Sequence, residues 1–248
     1  MTKPSKAGPP LLGAVPRRPA RLGTVVVTEL LDRIVSGQLP QLSTLPTEPM
    51  LCEAFGVSRT VIREAVKVLE EKGLLHARQG QGTTVAAADD WNLLDPMVLA
   101  ASVRHDRELR ILDDIVDVRR VLEAQMARQA ATTASDAAVT EIAALLDQLA
   151  EQVVSPSRYI LTDVAFHDAV MRASGNRLAR AVVGTIHSEA RASNRYNGQP
   201  QPRDCAVSYA GHAAIYERIA ARDPGGAAQA MSDHILGSWR SRRSPGPG

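Results

Sequence analysis

Two runs of helical spacing set close together constrain this chain more than any other feature in it. In LPTEPMLCEAFGVSRTVIREAVKVLEEKGLL, Thr47 and Pro49 open a short helix that stops at Gly56, and Ser58 opens a second that stops at Gly73. The Ser58 hydroxyl is placed to accept from the unpaired N–H groups of the second helix, while Val61, Ala65, Val68 and Leu69 recur on one face. The opposite face, carrying Arg59, Thr60 and Arg63, is left to solvent. Upstream, Leu22, Val26, Leu30 and Ile34 keep helical spacing as far as Gly37, and downstream LLHARQGQGTTVA reads as two short strands around Gln79-Gly80-Gln81-Gly82.

Helix, short helix, turn, helix and glycine hairpin is the order of a winged helix-turn-helix, and residues 22–86 are assigned to it. Residues 1–85 hold 11 Lys/Arg against 7 Asp/Glu, whereas the remainder holds 18 against 20, so a basic module precedes a mildly acidic one. Phosphate neutralisation by Lys and Arg drives nucleic-acid binding, and the asymmetry points that way. The run LPTEPMLCEAFGVSRTVIREAVKVLEEKGLLHARQGQGTTV resembles the N-terminal domain of GntR-superfamily transcription regulators. The resemblance implies a homodimer on a palindromic double-stranded DNA operator, with Ser58, Arg59, Thr60 and Arg63 meeting DNA from the major-groove helix and Gln79 and Gly80 at the wing tip near the minor groove. Two positions depart from that family: Gln41-Leu42 replaces a usual Pro-Gly turn, and Pro49 stands after Glu48 where some relatives carry a basic residue.

At 248 residues and 44% hydrophobic content the chain is long enough for two cores. Residues 1–21, rich in Pro, Gly and basic side chains, read as a flexible arm, 87–94 as a linker and 243–248 as a tail. Between them, residues 95–242 form a series of amphipathic stretches, predicted as helices at 95–104, 107–132, 136–153, 157–174, 177–196, 203–222 and 225–241. The expected fold class is therefore mainly α: a winged helix-turn-helix followed by an all-helical domain that resembles the FCD ligand-binding domain of the FadR-like group. The junction WNLLDP is similar to members of that group that sense sugar acids. Cys52 and Cys205 lie outside any C-x-x-C pair and read as small buried hydrophobes, no apolar run is of membrane-spanning length, and a cytoplasmic location follows.

TDVAFH, at Thr162–His167, places Asp163 and His167 four residues apart beside Ile160, Val164 and Met171, on the inward stripe of a helix. His212 shares a face with Ile215, Tyr216 and Ile219, and His234 lies beside Ala227, Met231 and Ser238. Four polar groups turned inward from three helices need partners, because burying one unpaired costs about 2 kcal/mol or more. One carboxylate and three neutral imidazoles are ligands for a divalent transition metal, with Zn, Ni and Mn all compatible. The resemblance implies the same: Asp163, His167, His212 and His234 match the metal-binding subset of FCD domains. It also assigns Arg119 to the pocket of a small carboxylate effector, a sugar acid or hydroxy acid, and Asn194 is a candidate polar contact there. Read from the residues alone, Arg119 is equally able to pair with Asp117 or Glu123. A metal-dependent hydrolase with an accessory DNA-binding module is the competing class; no catalytic motif of the H-E-x-x-H, G-x-S-x-G or phosphate-loop type occurs, and a non-enzymatic regulator is expected.

Overall fold

The computed structural model describes residues 19–78 and 82–243. The wing-tip candidates Gln79 and Gly80, most of the arm and the end of the tail lie outside them. The chain divides by its contacts into two compact units, residues 1–92 and 93–248.

In the first unit, helix α1 (Pro19–Val35) packs on α3 (Arg59–Glu71), with α2 (Glu48–Phe55) between them in sequence. Val26, Val27, Leu30, Leu31 and Ile34 are buried on α1, but Leu22 is exposed, so the inward stripe starts one turn later than the spacing suggests. On α3 the inward residues are Ile62, Ala65 and Leu69, and Val61 is only half-buried, a rotation of the predicted face by one residue. Strands β1 (Leu75–Arg78) and β2 (Gly82–Val85) pair antiparallel, Leu75 opposite Val85 and Arg78 opposite Gly82, and Thr44 bridges Thr84 as a third edge.

The departure at Gln41-Leu42 has a structural consequence. Leu42 takes φ +63°, the left-handed conformation a glycine would adopt freely, and its N–H donates to Val85 O at 2.9 Å. Gln41 accepts from Ala88 N at 2.9 Å. Residues 87–92, read as linker, are held here against the first unit: Asn92 N donates to Lys72 O at 3.0 Å, and Gly73 (φ +76°) lies so close to Asp90 O that a Cβ would meet it at 2.3 Å.

The second unit is helical throughout its described residues: α4 (Pro96–His105), α5 (Arg110–Thr133), α6 (Asp136–Gln152), α7 (Pro156–Ala173), α8 (Arg177–Arg191), α9 (Asn194–Asn197), α10 (Pro202–Ala220) and α11 (Pro224–Arg243). The predicted helix 177–196 is in fact two, because Ser193 turns the chain and caps a new short helix by accepting from Arg195 N at 3.3 Å. Helix α5 is the central element, packed on α11, α7, α8 and α10. Its buried residues Leu112, Ile115, Val116, Ala127, Ala130 and Ala131 join Phe166, Val170, Ile215, Ile219 and Met231 in one core. Cys205 is buried as expected, whereas Cys52 is half-buried. No helix among the described residues is long and apolar enough to cross a membrane.

Candidate functional site

Ser58 has φ −72° and ψ 158°, and its side chain accepts from Val61 N at 3.5 Å, so it caps α3 and aims the helix start. Arg59, Thr60 and Arg63 are exposed on that helix. Arg63 donates through Nε to both carboxylate oxygens of Glu48 at 2.9 and 3.0 Å, and that hydrogen bond, then the charge of Glu48, raises its already high pKa. Arg63 thus stays charged while it is paired with Glu48.

In the second unit Asp163, His167, His212 and His234 converge, one ligand atom from each lying within 4.8 Å of the others. His167 Nε2 is 3.2 Å from His234 Nε2 and 3.4 Å from His212 Nε2, which lies 3.2 Å from Asp163 Oδ1. The histidines are buried, His212 completely, while Asp163 is half-buried. Of the stripe read on α7, His167 and Met171 are buried as expected, while Ile160, Asp163 and Val164 are half-buried and Tyr159, Thr162, Phe166, Ala169 and Val170 make up the rest of the buried face, so the cluster occupies its margin.

Partners around the cluster fix its chemistry. His167 Nδ1 is 2.7 Å from Glu123 Oε2, which makes Nδ1 the donor and turns Nε2 toward the cluster. Glu123, fully buried, accepts on Oε1 from Arg119 Nε at 2.6 Å, and Arg119 NH1 donates to the Tyr196 hydroxyl. Tyr159 OH lies 3.1 Å from His212 Nδ1. Burial pushes Glu123 upward, but Arg119 and His167 outweigh it and hold the carboxylate far below its ordinary value. Asp163 is likewise held well below 3.8, the hydrogen bond and charge of His212 overcoming burial. Burial lowers His212 and His234, and neutral imidazoles with a carboxylate anion are the protonation states that ligate a metal. Imidazole nitrogens set face to face, with one ring already committed as donor on its far side, fit a divalent transition metal better than they fit one another.

Gly211, beside His212 on α10, makes the cluster sterically possible, since a Cβ there would lie 2.4 Å from His234 Nδ1. The site opens on a cavity of about 390 Å³ whose lining includes Arg119, Tyr159, Asp163, His167, His187 and His234. Arg119 therefore lines the cavity and pairs with Glu123 at once, the salt-bridged alternative of the sequence being realised. Asn194 is exposed and does not line the cavity; Asn197, one helical turn on, does. Glu123 as the support of His167, Tyr159, His187 and Tyr196 were missed. For Glu123 the signal was present, a glutamate one turn after Arg119 on a helix whose neighbouring Met126 and Ala127 are apolar; for the tyrosines, which arrive from distant helices, none was.

Residues 22–85 match the model of bacterial regulatory proteins of the gntR family, and residues 114–237 match the FCD domain. The Glc operon transcriptional activator of Escherichia coli K12 is 30% identical over 225 residues, covering 85% of each chain. The chain belongs to the GntR family. This FCD-containing regulator is also 28% identical to the Galactonate operon transcriptional repressor of the same strain, over 87% of its own length and 94% of the relative's. In fold it is similar to Lar, which controls the expression of the Listeria monocytogenes agr system, with a TM-score of 0.56 at 16% identity, covering 89% of this chain and 96% of that one. It is a DNA-binding transcription regulator and not an enzyme.

Proposed function

We propose that this regulator binds a palindromic operator as a homodimer and that a small organic acid, occupying the cavity beside a divalent metal, changes its hold on DNA. The observation carrying the reading is the Asp163, His167, His212 and His234 cluster, of which Asp163, His167 and His234 line a cavity, in a chain that also presents exposed arginines on α3. Asp163 and the three Nε2 atoms would hold the ion, and the ion would supply open coordination positions for a ligand carboxylate. The chain's own residues do the rest. Glu123 fixes the tautomer of His167, Arg119 keeps Glu123 ionised, and Tyr159 orients His212.

On the DNA side Arg59 and Arg63 are proposed to reach bases or phosphates, with Ser58 positioning the helix start and Thr60 beside them. Regulation requires only that the acid prefer one arrangement of the dimer, and the shift in operator affinity cannot exceed that preference. The relatives named for repression and activation leave either sign open to this chain, and repression released by the acid is the form proposed. The test is an operator titration of zinc-loaded protein against a panel of sugar acids and hydroxy acids, with wild type beside His212→Ala. An acid that weakens operator binding by wild type but not by His212→Ala supports the reading; equal responses separate the cluster from sensing.

A further inference from the structure

The cavity carries more positive charge than one carboxylate needs. Arg119, Arg191, Arg203 and Arg242 all line it. Arg119 is matched by Glu123, and Arg203 lies 3.9 Å from Asp204. Among the described residues no carboxylate pairs with Arg191 or Arg242. Arg242 is nevertheless held in place: Nε donates to Ser238 O at 2.8 Å, NH1 donates to Tyr196 O at 3.2 Å, and its guanidinium lies 5.0 Å from the centre of the Tyr196 ring. Carbonyls and a ring face orient a guanidinium without cancelling its charge.

Tyr196 thus separates two arginines of different standing. Its hydroxyl receives Arg119, whose charge is spent on Glu123, and its ring supports Arg242, whose charge is not. Asn197, Gln199, Gln201 and Ser208 line the same cavity and offer amide and hydroxyl groups to a hydroxylated chain. We propose that the cavity selects a hydroxylated dicarboxylate, one acid group at the histidine cluster and the second gripped by Arg242 and Arg191. This rests on the reading that an organic acid occupies the cavity. The chemical logic is that a fixed, uncompensated guanidinium gains a charge-assisted fork from a second carboxylate and nothing comparable from a terminal alcohol.

The test compares matched acids that differ only at the far end, glucarate against gluconate and tartrate against threonate, by calorimetric titration of the full-length zinc-loaded protein. At least one diacid should bind about ten-fold or more tightly than its monoacid, the scale of one charge-assisted contact. Arg242→Gln should remove that advantage while changing monoacid affinity less than about two-fold, Arg242→Lys should restore part of it, and Arg191→Gln should reduce it. Monoacids binding as well as diacids, no diacid binding, or Arg242→Gln weakening both members of a pair equally would each overturn the proposal. His212→Ala tests the underlying reading separately: if it retains wild-type affinity for the diacid, the cluster is not the acid's anchor, and the Arg242 comparison still decides the far end.

Discussion

Arg63 and Arg119 each donate Nε to a glutamate oxygen, at 2.9 Å to Glu48 and at 2.6 Å to Glu123, yet the surroundings make these different devices. The first pair is exposed, with side chains 67% and 38% accessible; the second is sealed, at 6% and 0%. In water the attraction is screened and Arg63 can leave Glu48 at little cost. In the interior neither partner can leave, because the other would remain as an uncompensated charge. Helix α3 therefore has an interchangeable polar contact, and the FCD domain has an obligatory one.

The comparison breaks first at Glu123. Glu123→Ala strands the Arg119 guanidinium and frees His167 Nδ1, and should destabilise the second unit by about 3–5 kcal/mol. Denaturant unfolding of the full chain with chelator present measures this; a loss below about 1 kcal/mol would mean that water reaches the pair and the interior is not sealed. Arg119→Ala carries the same penalty from the other side, so its loss of acid response cannot be read as a lost ligand contact alone. Gly211→Ala comes next. It forces the His234 imidazole to move and should lower metal affinity by about 10- to 100-fold while leaving operator binding without acid intact. Competition with a metallochromic chelator reads the first, gel shift the second.

On the exposed side Arg63→Ala should lower operator affinity about ten-fold or more with an unchanged melting temperature. Glu48→Ala should leave both the fold and the charge of Arg63 in place and bind DNA at least as well as wild type. Loss of folding in either variant would show that the exposed pair is as obligatory as the buried one.

What was legible in the sequence follows the same division. The winged helix, the cap at Ser58 and the i, i+4 pair of Asp163 and His167 are local patterns, and local patterns are written in consecutive residues; Thr47 stands at the start of α2 as read, but its side chain makes no capping hydrogen bond. His212 and His234 were found because they break apolar faces. Their supports were not: Tyr159 reaches His212 across 53 positions, and Tyr196 reaches Arg119 across 77. No periodicity encodes such a meeting. The break of the predicted helix 177–196 at Ser193 was missed because serine interrupts a helix only when the chain has somewhere to turn, which tertiary packing decides.

A smaller effect separates the units by pH. Burial, reinforced by the nearby Arg119, holds His187 well below the ordinary 6.5, against the opposing pull of Glu123 and Asp163. A histidine depressed in the folded state binds its proton more readily when unfolded. Its contribution is thus intact above about pH 6.5 and is lost as the pH falls below that value, at up to about 1.4 kcal/mol per pH unit for one proton. Urea midpoints between pH 7.5 and 5.5 should fall less steeply for His187→Gln than for wild type. Equal slopes would place His187 in contact with solvent.

The smallest expected change lies in the first unit, at Leu42. An L-residue with a bulky side chain in the left-handed conformation costs about 1–2 kcal/mol relative to glycine in the folded state, and glycine returns part of this through its freer unfolded chain. Leu42 is 77% exposed, so little apolar contact is lost by removing its side chain. Leu42→Gly should therefore raise the stability of the winged helix by up to about 1 kcal/mol, while Leu42→Ala, which keeps the strained φ, should gain almost nothing. Both variants keep Gln41 and its bond to Ala88, so the comparison isolates the backbone. If Leu42→Gly is destabilising, the leucine is making a contact that its exposure does not reveal. If it is stabilising, the first unit holds strain in the backbone angle of Leu42, a cost the second unit also carries at Leu109 and Arg222, with φ +61° and +56°.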